Sequence, residues 1–132
     1  MKTAFPIGVI VAAALPLAAC TTEMDDEREI LAPAINVVGE PESCIRTNQI
    51  RDTIVHDDYT IDFEMRNGPL YRNTLRQRCY SLGFDERFTY EVRAGSLCSG
   101  ETITVLHSDG RPGASCALGD FIPVELVEEA AD

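Results

Sequence analysis

The chain has no CxxC pair and no HxxH pair, and only two of its 132 residues, His56 and His107, are histidine. Thiol exchange and zinc binding both draw on ligands held at such short spacings. No cofactor and no metal are therefore expected, and a site joining cysteines to either histidine is set aside. A GxSxG elbow, a glycine-rich phosphate loop and EF-hand spacing are also missing. Bases are scarce: eleven Lys and Arg stand against 22 Asp and Glu, giving a net charge of -11. So acidic a chain gains nothing by displacing counterions from a phosphate backbone, which argues against a nucleic-acid partner. Long hydrophobic runs are absent too. The longest, residues 7–15 (IGVIVAAAL), has nine residues, well short of the roughly 20 that a transmembrane helix needs.

What is present begins with that short run. Met1 and Lys2 precede it, and Pro16 ends it just ahead of Leu17, Ala18, Ala19 and Cys20. A basic start, a short apolar core and small residues before a cut are the parts of a secretory signal. Leu-Ala-Ala-Cys resembles the lipobox of bacterial lipoproteins. The resemblance covers the first twenty residues and implies that residues 1–19 are removed and that Cys20 is acylated. A signal peptide of the ordinary kind, cut after Ala19, would leave Cys20 without a task. The cysteine count favours lipidation: of five Cys, an odd number, four remain to pair once Cys20 is modified. Several acyl chains, at about 0.8 kcal/mol per buried methylene, anchor stably where one does not. By the sorting pattern of enteric lipoproteins, Thr21 resembles an outer-membrane address. The expected location is the cell envelope, with the lipid in the outer membrane and the body facing the periplasm.

Charge divides the remainder. Residues 20–43 carry seven acids and one Arg, residues 44–123 eleven acids and nine Arg, and residues 124–132 four acids and no base. Residues 20–43 therefore read as the lipidated Cys and an acidic tether, residues 44–124 as one folded domain, and residues 125–132 as an acidic tail. Within the tether, the apolar piece 34–38 could add a strand to the body.

Short strands dominate the body. Tyr59, Ile61, Phe63 and Met65 alternate with polar residues, the period of a half-buried strand. Residues 48–55, 70–72, 88–92, 102–107, 115–118 and 121–124 add further strands. His56, Asp57 and Asp58 make a turn, Asn67 and Gly68 a tight hairpin, and residues 108–113 a loop. Residues 73–82 are the helix candidate: Asn73 as N-cap, Leu75, Cys79 and Leu82 on one face, and Gly83 beyond the end. The expected fold is mainly β (α+β), a small antiparallel barrel or sandwich with one short helix and two disulfides.

An exported chain oxidises its thiols, so Cys44, Cys79, Cys98 and Cys116 are expected as two disulfides. Three connectivities are open. Cys44–Cys79 with Cys98–Cys116 is favoured, because each pair would close a compact half of the body. The same stretch carries a second resemblance. The spaced Cys, the YRNTL segment before Cys79 and the LCSGETI segment are similar to a family of small exported bacterial proteins defined only as a domain of unknown function. The similarity runs from Cys44 to Val124. It implies a compact Cys-bearing domain and no catalytic residues.

His107, Ser108 and Asp109 are the residue types of a hydrolytic triad, but triads assemble from distant positions, so a strand running into a turn is expected there. Asp57 and Asp58 are likewise read as turn residues. Arg72, Arg76 and Arg78 form the candidate anion-binding set, since Arg72 and Arg76 would share a helix face and guanidinium groups grip carboxylates and phosphates. Tyr71 and Tyr80 flank them. The expected function is that of a lipid-anchored, non-enzymatic binding or accessory module, an inhibitor being one version. Its partners are the membrane, through the lipid, and an envelope protein or cell-wall component. The rival expectation is a small-ligand binder or enzyme with a pocket near Arg72, Arg76 and Arg78.

Overall fold

The computed structural model describes residue 8, residues 12–14 and residues 31–127. Cys20 and the rest of the lipobox, most of the acidic tether and the last five residues lie outside them. The described chain is mainly β and antiparallel throughout, as the alternating pattern predicts. Strands β1 (Ile35–Val37), β3 (Ile50–Val55), β4 (Thr60–Met65), β5 (Leu70–Thr74) and β10 (Phe121–Leu126) form a five-stranded sheet in the order β1-β10-β5-β4-β3. Strands β6 (Phe88–Tyr90), β8 (Thr102–Leu106) and β9 (Pro112–Ala117) form a second sheet, and β2 (Cys44–Arg46) pairs with β7 (Ser96–Cys98). The arrangement is sandwich-like.

Alternation places the core. Ile61 and Phe63 of β4 are fully buried on the inner face, while Thr60 and Asp62 point to the outer face. The Phe63 ring meets Phe121 of its own sheet edge-on at 5.4 Å and Phe88 of the second sheet at 6.3 Å, and the latter contact joins the two larger sheets. Ile45, Leu97, Ile103 and Val105 complete the inner layer. The two expected hairpins are present: Asp57 Oδ1 accepts the Tyr59 N–H at 2.8 Å in the first, and Gly68 takes φ +127° in the second.

Three expectations are corrected. Residues 73–82 are not a helix. β5 runs through Asn73 to Thr74, and the one α-helix among the described residues is α1 (Leu82–Asp85). Leu75, Cys79 and Leu82 are buried as their spacing implied, but Leu75 and Cys79 lie on an irregular loop and Leu82 opens α1. An isolated ten-residue helix is marginal in water, and pairing with β4 and β10 overrides local preference here. Asn73 caps nothing. Its side chain is fully buried, donating to Gly119 O at 2.7 Å and accepting from Gly119 N–H at 2.8 Å.

The disulfides are Cys44–Cys98 and Cys79–Cys116, not Cys44–Cys79 and Cys98–Cys116. Cys44 and Cys98 are direct partners in the β2–β7 ladder, so the bond follows a non-local strand pairing that spacing alone does not display. With separations of 54 and 37 residues, each bond contributes about 4 kcal/mol by loop entropy.

Packing against the body extends upstream of Cys44 and includes Leu31. β1 pairs with β10, Glu42 bridges to Phe121, and Leu31 N–H donates to Asp57 Oδ2 at 3.3 Å. The strand reading of residues 34–38 is the one realised. Glu125 and Leu126 belong to β10, not to a tail.

Candidate binding surface

The turn carrying Asp57 and Asp58 organises the surface next to it. Asp58 Oδ1 accepts the Gly83 N–H at 2.8 Å, its Oδ2 accepts Arg78 Nε at 2.8 Å, and its carbonyl accepts the Cys79 N–H at 2.9 Å. Gly83 sits so close that a Cβ there would lie 3.1 Å from the Asp57 backbone. The loop holding α1 is thereby sewn to the β3–β4 turn. Its other side is fixed by the Cys79–Cys116 bond and by His107 Nδ1 against Asp85 Oδ2 at 2.9 Å. Leu75, Cys79 and Leu82 are its buried face.

The opposite face of this pinned loop is aromatic. Phe84 is 89% exposed and Tyr80 65% exposed. The Arg78 guanidinium lies over the Tyr80 ring at 4.9 Å, and Asp58 holds the Arg78 pKa above its usual value. Ser81 and Glu86, at either end of α1, both adopt left-handed φ, at 69° and 52°. Non-glycine residues in that region carry a local cost and cluster where the fold presents something.

No helical face presents the predicted arginines together. Arg72 is buried on the outer face of β5, making two bonds to Asp62, Nε to Oδ1 at 2.8 Å and Nη2 to Oδ2 at 3.0 Å, and a third from Nη1 to Pro33 O at 2.7 Å. His56 Nε2 adds a contact to Asp62 Oδ2 at 2.7 Å. Arg78 serves Asp58. Arg76 is exposed and makes no ion pair among the described residues. Beside the Asp62 network lies an open cleft of about 530 Å³, lined by Val38, Ile54, His56, Leu70, Val124 and Leu126, among others. Ser108 and Asp109 do not join His107 in a triad. Asp109 accepts from the Arg111 N–H and Nε, whose hydrogen bonds hold its carboxyl below the usual range.

No family model, no curated protein and no solved structure matches the chain. Sequence reading missed Phe84, although one signal was there. Phe84 falls out of phase with Leu75, Cys79 and Leu82, so an aromatic residue stood where no buried face could receive it.

Proposed function

We propose that the chain is a lipid-anchored envelope protein that binds another envelope protein and performs no chemistry of its own. In this reading Cys20 carries the lipid, the outer membrane holds the chain, and the body works in the periplasm. Blocking an envelope enzyme is one form the binding could take. The exposed Phe84 on its pinned loop is the observation that carries the proposal. Burying Phe63 serves the core, whereas an 89% exposed Phe84 adds almost nothing to stability. Aromatic and Arg side chains concentrate in the energetic centres of protein interfaces. Tyr80 with Arg78, and exposed Arg76 and Arg87, supply the rest of such a centre, and a rigid loop gives up little entropy on docking. Two disulfides fit an oxidising compartment. The rival reading, a small-ligand or enzyme pocket near Arg72, Arg76 and Arg78, draws less support, because Arg72 and Arg78 are already committed to Asp62 and Asp58.

The test is a photo-crosslinking residue placed at position 84 of the native lipoprotein in cells. A discrete protein adduct is expected there and none from position 51. With the partner in hand, Phe84→Ala should weaken binding about 30-fold, the scale of an interface hot spot, while unfolding free energy stays within about 0.5 kcal/mol. Equal affinity of the variant would refute the reading. Cys20→Ala should move the protein out of the membrane fraction; a variant that stays there sinks the anchor.

A further inference from the structure

The main sheet has two edges, and they are treated differently. The β3 edge is interrupted by a register shift between Ile50 and Asp52 and carries Arg51 and Asp52. A bulge and charges are the usual protection against unwanted strand pairing. The β1 edge has neither. The Val38 N–H donates to Pro123 O at 2.9 Å and the Val127 N–H to Ala34 O at 3.0 Å, so extended pairing with β10 runs from residue 34 to residue 38. By the alternation of an antiparallel ladder, residues 34, 36 and 38 turn their amides toward β10, and the N–H and C=O groups of Ile35 and Val37 face away from it. Those four groups have no partner among the described residues.

The surroundings of this edge are apolar and acidic. Val37 is 62% exposed, Val38 48%, Leu126 52% and Val127 40%. These four, all on β1, β10 or the residue after each, are among the nine exposed large hydrophobic side chains of the described residues. The charged groups of residues 31–43 and 121–127 are Glu40, Glu42 and Glu125, with no base.

We propose that the β1 edge takes up an extended segment of another protein, one that alternates apolar residues with Lys or Arg, as a sixth strand of the sheet. Backbone pairing supplies the docking, as in other strand additions. Apolar side chains of the guest cover Ile35 and Val37, and its bases meet the three carboxylates. A second copy of this chain would bring the same carboxylates against one another, so the charge complement favours a basic guest over self-pairing. This edge shares no residue with the Phe84 loop, and either surface can fail its test without the other.

The test uses the whole chain and a labelled heptapeptide, Lys-Val-Lys-Val-Lys-Val-Lys, followed by fluorescence anisotropy. A peptide of the same composition in block order, four Lys then three Val, controls for simple charge attraction. Val37→Pro deletes one free-edge N–H and no bond to β10. Val37→Arg keeps the backbone intact, takes away the apolar contact offered to the guest valines and adds a positive charge to a face meant for a basic guest. The alternating peptide should bind, and the block peptide and both variants should each bind at least about tenfold more weakly, with the melting curve of the Arg variant unchanged. Equal binding of the two peptides, or full binding by Val37→Arg, overturns the proposal. So does sedimentation showing a dimer of the unmodified chain that either substitution at Val37 abolishes, because the edge would then belong to a second copy.

Discussion

Replacing Asn73 by Ala separates two accounts of that residue by a measurable free energy. As the N-cap of a helix, Asn73 would hold one exposed backbone N–H, and Ala there would cost about 1 kcal/mol. In the structure its amide is fully buried and clamps both the N–H and the C=O of Gly119. Ala would strand both groups where water does not reach, at about 1–3 kcal/mol each, or roughly 2–6 kcal/mol together. A loss of about 3 kcal/mol lowers Tm by roughly 12–24 °C in a domain of this size. Urea unfolding followed by far-UV circular dichroism would show the midpoint falling with its slope unchanged. Asn73→Asp adds a finer check, since it keeps the acceptor for the Gly119 N–H and faces a carboxylate to the Gly119 C=O, and it should be no more stable than the Ala variant. Gly119→Ala attacks the clamp from the other side, because its Cβ would fall 2.5 Å from Thr74 O. Joined with Asn73→Ala, it should cost less than the sum of the two, as expected for one shared interaction. An Asn73→Ala cost of about 1 kcal/mol or less would refute the clamp.

The cysteines and Tyr71 carry further expectations. Intact mass under non-reducing conditions should show four hydrogens fewer than the reduced chain, two for each of the two disulfides. Under mild reduction Cys44 and Cys98 should be alkylated before Cys79 and Cys116, because Cys44 is exposed while Cys79 is buried; simultaneous labelling would contradict that order. Burial, then the hydrogen bond to Glu42 and the charge of Glu42, raise the Tyr71 pKa above 10.0. The folded state therefore keeps a proton that the unfolded state gives up, so this contribution to stability is complete below pH 10 and is lost as pH rises through the folded value. Tyr71→Phe should remove that alkaline decline and one late-ionising tyrosine from the ultraviolet titration.

The parts of the fold that were legible in the sequence were those written in neighbouring residues. Ile61, Phe63 and Met65 alternate because one face of β4 is core, and that period survives in any fold using the strand. Asn67 with Gly68, and Asp57 before Tyr59, are turns made by local backbone chemistry. What could not be read depended on distant partners. Residues 44–46 and 96–98 are too short to announce strands, and only their pairing with each other makes them so. The disulfide pattern follows from that pairing. Leu75, Cys79 and Leu82 have the spacing of a helix face and are indeed buried, but the same spacing fits a loop drawn inward by Cys116 and Asp58. Arg72 shows the limit most plainly. As a sequence letter it belonged with Arg76 and Arg78, and only the cross-strand position of Asp62 turns it into a buried, fully engaged cation.

The order β1-β10-β5-β4-β3 also governs when this protein can fold. Among the described residues the strand made last, β10, lies between the strand made first, β1, and β5, and it alone joins them. Until residues 121–126 are available, β1 has nothing to pair with, Phe63 lacks the ring of Phe121, and Gly119 cannot close on Asn73. Residues 35–37 must wait unpaired while the rest is made, and closure is a late event that joins β1 and β5 through β10 at once. The same timetable makes a truncation that removes residues 121–126 a failure of the whole sheet rather than of its margin.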